Sequence, residues 1–291
     1  MKKGIIYIAL SAFIFSTMEV VGKLITGDLN AFQVTFLRFL IGCVVLLPFT
    51  VNELKKRTIK INRDDIIYFI LTGLLCIPIS MVLLQVSVVY TKASTAAIMF
   101  STNPVFTIPF AYFILKESIR KENIYSIAIS LIGILFIFNP LSIGDGIKGM
   151  FIALASSITF SLYTVISKKR IEKYGGIIFN FFTFLVGDLV LLVILIIFNI
   201  PIIKGVTVSN IPIILYLGII LTGLGYVFYI SAIKETSPVV ASTVFFIKPA
   251  LAPIVAVILL KEAITFNVMI GIVFILIGSY IGFRGKQSQN I

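Results

Sequence analysis

The stretch that decides the fold runs from Val240 to Ile264, VASTVFFIKPALAPIVAVILLKEAI. It is apolar over a length sufficient to cross a bilayer, yet Lys248 and Pro249 stand at its middle. A lysine at the centre of a membrane helix costs about 2.5–3.5 kcal/mol on insertion scales, so its charge must face protein or water and not lipid. Pro249 cannot donate to the Phe245 carbonyl, which predicts a bend or local unwinding beside the charge. A second copy of the stretch, Ala96 to Ile119, lies 145 positions earlier. There Asn103-Pro104 matches Lys248-Pro249, and Leu115-Lys116-Glu117 matches Leu260-Lys261-Glu262.

Working outward, 59% of the 291 residues are hydrophobic, 12% are charged, and the mean hydropathy is +1.13. A soluble domain needs more polar surface than that, so the chain is an integral membrane protein whose main partner is the lipid bilayer. The formal charge of +12 comes from basic residues spread over short loops between apolar spans. They form no stripe interleaved with exposed aromatics, which argues against nucleic acid. The absence of histidine excludes histidine-ligated metals and histidine proton switches. No cofactor is expected, and the Gly-x-x-x-x-Gly-Lys nucleotide signature is missing. Cys43 and Cys76 lie inside apolar spans and read as small buried side chains. Met1-Lys2-Lys3 followed by an apolar run resembles a signal peptide, but cleavage would delete the part of the repeat that matches Lys148 to Lys168.

Apolar stretches of spanning length fall near 4–26, 31–50, 65–88, 93–115, 122–139, 147–167, 177–198, 211–233, 238–260 and 265–283. The expected fold is therefore all-α, with ten transmembrane helices. The 145-residue shift also matches Phe15-Ser16 with Phe160-Ser161, Phe39-Leu40 with Phe184-Leu185, Gly42 with Gly187, Gly73 with Gly218 and Gly133 with Gly278. This divides the chain into five-helix repeats, 1–145 and 146–291. Five is odd, so the second copy enters the membrane from the opposite face, an inverted-topology duplication of the kind that builds secondary transporters. Loop charge agrees. With both termini cytoplasmic, 17 lysines and arginines fall on inner loops, four (Lys92, Lys148, Lys204 and Lys261) on outer loops, and Lys23, Arg38 and Lys248 within spans.

The buried ionisable residues are Glu19, Lys23, Arg38, Asp188 and Lys248. Glu19 and Arg38 each lie about 10 Å in from the same surface, which predicts an ion pair between the first two helices; at least one of the two is expected to line the translocation cavity as a substrate-binding residue, with a simple lock between the helices as the alternative. Lys23, four residues after Glu19, is expected to satisfy it locally or to snorkel outward. Asp188 and Lys248 fall near the midplane, where inverted-repeat carriers hold substrate. Lys248 is the leading binding residue, with a structural bridge to Asp188 or Glu19 as the alternative. Asn103 is its polar counterpart, and Tyr163, Tyr226, Tyr229 and Phe246 are candidate cavity aromatics. Gly278 and Gly282 have the small-xxx-small spacing of close helix packing.

The paired five-helix pattern, the Asn103-Pro104 and Lys248-Pro249 steps, and the two Leu-Lys-Glu turns, with Gly271 and Gly278-Ser279-Tyr280 after the second, resemble the EamA-type transporters of the drug/metabolite transporter superfamily. The resemblance spans essentially the whole chain. It implies a ten-helix carrier of the inner or plasma membrane that exports amino acids or other small metabolites. One departure is that many relatives carry a tryptophan-glycine step in the first helix, where this chain has Phe15-Ser16 and no tryptophan. The leading expectation is alternating access for a zwitterionic or anionic small molecule, coupled to a proton or ion, with import as the alternative direction. An intramembrane lipid-modifying enzyme is the competing class. It would need a nucleophile with an aligned base or a metal site, and the sequence offers neither.

Overall fold

The computed structural model describes residues 2–57, 61–119, 121–137 and 146–287, and every regular element among them is helical. The first half contains α1 (Lys2–Phe15), α2 (Met18–Lys23), α3 (Ala31–Arg57), α4 (Arg63–Leu74), a π-helical segment (Leu75–Met81), α5 (Val82–Tyr90), α6 (Ala93–Phe100), α7 (Asn103–Leu115) and α8 (Lys121–Ile137). The second half contains α9 (Ile147–Ile197), α10 (Ile211–Leu215), a second π-helical segment (Tyr216–Gly225), α11 (Tyr226–Glu235), α12 (Pro238–Ala241), α13 (Val244–Leu260) and α14 (Phe266–Gln287). Among the described residues, six continuous helical stretches are long and apolar enough to cross a membrane: Lys3–Lys23, Ala31–Lys56, Arg63–Tyr90, Ala93–Leu115, Ile147–Ile197 and Ile211–Glu235.

Two of the expected spans, 147–167 and 177–198, are joined in the 51-residue α9. It is broken only at Gly175, whose φ of 75° and ψ of 168° leave the helical region. A side chain is strained at that φ, so glycine marks the joint. Pro249 does not unwind its helix, because α13 runs through both Pro249 and Pro253. The break falls instead at Ser242-Thr243, where the hydroxyls bond back to the Val239 and Val240 carbonyls at 2.9 and 2.6 Å. The same device separates α6 from α7, with Ser101 and Thr102 bonded to Ala97 and Met99 at 2.6 and 2.7 Å. Ser16 and Thr17 repeat it between α1 and α2, reaching Ala12 and Ile14 at 2.6 and 2.8 Å. Hydroxyls that compete for carbonyls in this way bend helices.

The two halves interlock. The most extensive helix packing runs between them: α8 packs along α14, α3 against α9 and the second π segment, and α7 against α9. Glycine permits this. A Cβ on Gly73 would stand 2.8 Å from the Gly187 nitrogen and the Thr183 carbonyl oxygen, and one on Gly133 would stand 2.7 Å from the Gly271 oxygen. The Leu-Lys-Glu turns are duplicated to the level of the backbone. Lys116 and Lys261 are left-handed helix caps, φ 59° and 54°, and their N–H groups donate to the equivalent Ala111 and Ala256 carbonyls.

Candidate functional site

The site is built where the Ser-Thr breaks converge. Each break is followed within six residues by a buried polar side chain: Glu19 after the first, Asn103 after the second, Lys248 after the third. Lys248 is fully buried and donates to Glu19 Oε1 at 2.5 Å, which joins α13 to α2 in an ion pair closed to solvent. The ammonium also lies 4.7 Å from the Phe100 ring centroid and 5.9 Å from that of Phe245, within cation–π range. Desolvating two charges costs several kcal/mol per ion, which the contact at this distance and the aromatic faces offset.

Around the pair the rings are arranged in pairs that the repeat relates. Phe15 and Phe160, Phe39 and Phe184, and Phe100 and Phe245 are each 145 residues apart, and all six are buried. Phe160 meets Phe100 at 5.3 Å, Phe245 at 5.7 Å and Tyr226 at 6.2 Å, while Phe15 meets Tyr226 at 5.3 Å. These rings, with Met18, Met81 and Lys248, line a cavity of about 10 Å³, the room of roughly one water molecule. Met81 and Tyr226 are themselves repeat-related, and each stands at the end of a π-helical segment. Extra backbone turns of this type recur at functional sites because they displace a side chain out of helical register.

Other expected residues take different places. Glu19 pairs with Lys248 and not with Arg38, because the break at Ser16-Thr17 sets α2 against α13. Lys23 neither reaches Glu19 nor snorkels freely: it donates to the Val88 and Thr91 carbonyls at 2.5 and 3.0 Å and ties α2 to α5. Asn103 ties α7 to α9, its amide donating to Ser161 Oγ at 2.6 Å and to the Ser157 carbonyl at 3.2 Å. Asp188 makes no bridge to Lys248. It lies in the field of Cys43, its repeat counterpart, with Oδ1 unpartnered. Tyr229 hydrogen-bonds Thr164 at 3.0 Å behind the cavity wall, and the buried Tyr163 hydroxyl has no partner. The Phe246 side chain lies outside the described residues. Arg38 is 1% exposed, its three nitrogens make no hydrogen bond, and its guanidinium stands 4.8 Å from the Phe39 ring centroid.

Sequence reasoning recorded Phe15–Phe160 and Phe39–Phe184 as repeat matches but not as parts of a ring cluster, and it missed Phe100–Phe245 and the Ser-Thr breaks. The signals were a 145-residue recurrence of rings and three Ser-Thr dipeptides well inside apolar spans, Ser16-Thr17, Ser101-Thr102 and Ser242-Thr243, a fourth, Ser94-Thr95, lying at the start of one. At one end of the bundle the Glu262 carboxylate accepts from the Ala93 N–H at 2.7 Å, the Ser94 N–H at 3.1 Å and Ser94 Oγ at 2.5 Å. Lys92 adds a bond to the Ala263 carbonyl at 2.9 Å, closing the start of α6 onto the end of α13. Toward the opposite end, a 310 Å³ cleft is lined by Tyr7, Glu53, Tyr174, Gly176, Phe228 and Lys234 among others.

Comparison with known proteins agrees with this architecture. The EamA-like transporter family model matches twice, over residues 2–139 and 147–284. An uncharacterized transporter of Clostridium kluyveri is 50% identical, covering 100% of this chain and 96% of that protein. An S-adenosylmethionine uptake transporter of Rickettsia prowazekii is 28% identical over 64% of this chain and 62% of its own length. A solved crystal structure at 17% identity has the same fold, with a TM-score of 0.75 over the whole of both chains. The relatives are named as transporters and not as enzymes, and a doubled family match over interlocked apolar helices admits one conclusion: the chain is a multi-pass membrane protein of the EamA-like transporter family.

Proposed function

We propose that the chain is a secondary carrier that moves a small zwitterionic or anionic metabolite, an amino acid or related compound, outward across the plasma membrane by alternating access. In this reading it has ten spans, with α9 crossing twice about Gly175, two inverted repeats and both termini cytoplasmic. The loop charges support that orientation, 17 basic residues on the inner side against four on the outer. The Glu262 contact with α6 is then an outer latch, and the 310 Å³ cleft a cytoplasmic vestibule.

The observation that carries the reading is the solvent-free Glu19–Lys248 pair, set among repeat-related rings beside a cavity too small for any metabolite. A purely structural pair has no need of a pseudo-symmetric aromatic shell, whereas a carrier must hold an empty, occluded chamber between its outward and inward states. Bound substrate exchanges its own charges for those of the pair, and proton or ion movement at Glu19 supplies coupling. Uptake is the second reading, favoured by the relatives named as S-adenosylmethionine uptake transporters. Purified protein in liposomes tests the proposal: a counterflow screen with a labelled metabolite panel is expected to find a substrate whose transport Lys248→Met abolishes. Unchanged transport and affinity in that variant would remove the pair from the site.

A further inference from the structure

Among the described residues, Lys248, Arg38 and Glu19 lie buried around the chamber; Glu19 engages Lys248 through Oε1 and keeps Oε2 without a partner. The guanidinium of Arg38 keeps three nitrogens without an acceptor. Its electrostatic neighbours are Tyr226, Cys76 and Glu19, and Asp188 is not among them. The other groups beside it add donors: the Tyr226 hydroxyl lies 4.0 Å from the Cys76 sulfur, and the buried Tyr163 hydroxyl, also beside Cys76, is unpartnered. A guanidinium presents a planar fork of donors that matches a carboxylate in bidentate geometry, and leaving such a fork buried and unmatched is destabilising. Tyr226 separates this cluster from the cavity. It lines the cavity, stands edge-on to Phe39 at 5.7 Å, and follows the π-helical segment ending at Gly225.

We propose that Arg38, behind Tyr226, is the receptor for a substrate carboxylate, and that the carrier therefore selects metabolites of net charge −1 over neutral zwitterions. The proposal rests on the carrier reading above. It reassigns the anion contact from Lys248, which Glu19 already holds in a 2.5 Å bond, to Arg38, the cation among the described residues of this region whose donors meet no acceptor. A monocarboxylate brings the chamber to neutrality, whereas a neutral zwitterion leaves one positive charge buried. Rotation of Tyr226 joins the Arg38 cluster to the cavity and gives the carboxylate room beside the rings.

The test uses purified protein in nanodiscs and its tyrosine fluorescence, which no tryptophan masks. The probes are 2-oxo and 2-hydroxy monocarboxylates, their methyl esters and the matching 2-amino acids. The acids are expected to bind at least about tenfold more tightly than the esters and the amino acids, and Arg38→Met to weaken acid binding by about 10- to 100-fold. Arg38→Lys keeps the charge and the fold but loses the fork, so an intermediate loss is expected with thermal stability retained. Equal binding of acids and esters, or undiminished acid binding in both variants, overturns the Arg38 assignment while leaving the carrier reading standing. Absence of binding by every probe, together with no counterflow of any metabolite in liposomes, overturns both.

Discussion

Removing Lys248 leaves Glu19 as a lone charge in a site with no solvent contact, since both side chains are fully buried and their atoms approach to 2.5 Å. Breaking such a pair from one side costs about 3–5 kcal/mol, most of it the penalty of the orphaned partner. Lys248→Met should therefore lower the melting temperature of the detergent-solubilised protein by roughly 6–20 °C, taking about 2–4 °C per kcal/mol. Glu19→Gln should do the same, because it strands the ammonium between the Phe100 and Phe245 rings. The double variant removes both charges together, so its loss should be no larger than that of either single variant, a coupling of about 3 kcal/mol or more. Thermal unfolding of the four proteins closes the cycle. Additive losses, or singles that melt like the unaltered chain, would refute the claim that these two groups neutralise each other in the folded state.

Further predictions concern the frame that holds the chamber. Gly73→Val drives a side chain into the Gly187 and Thr183 backbones and should destabilise by about 1–3 kcal/mol, whereas Gly27→Ala, with no neighbour within 4 Å, should melt within about 0.5 kcal/mol of the parent. Glu262→Ala removes three hydrogen bonds from the start of α6 and should cost about 1–3 kcal/mol and speed amide exchange at Ala93 and Ser94; unchanged exchange would contradict the latch. Asp65 joins α4 to α9 through Lys173 at 2.6 Å and Arg170 at 3.6 Å, and accepts from the Asn62 N–H at 3.0 Å. Asp65→Ala should lower stability by about 1–2 kcal/mol in thermal unfolding.

How much of this was written in the chain differs between the frame and the site. Hydropathy and the 145-residue recurrence reveal the helical membrane fold and the repeat because spanning length and burial are averages over many residues. The partner of Glu19 was not legible. Depth along a helix places Glu19 and Arg38 at one level, but which faces meet depends on the bends at Ser16-Thr17 and Ser242-Thr243, and those shift α2 and α13 toward each other. Lys248 stood out because a midspan cation has few apolar explanations. The surrounding phenylalanines did not, since 26 of them in so apolar a chain hide the six that line or back the chamber. The interruption is not at Pro249, where the helix lacks a donor, but about two turns earlier, where the Ser242 and Thr243 hydroxyls carry the break.

The central claim is that the chamber between the repeats opens to each side in turn, and Met81, a buried residue of its wall, reports on it directly. With Cys43 and Cys76 replaced by alanine, Met81→Cys can be labelled by a charged methanethiosulfonate from either face of oriented vesicles. The account predicts labelling from both faces, with a transported metabolite altering the two rates in opposite directions. A cysteine at position 81 that reacts from one face only, or from neither, whatever metabolite is present, would contradict it.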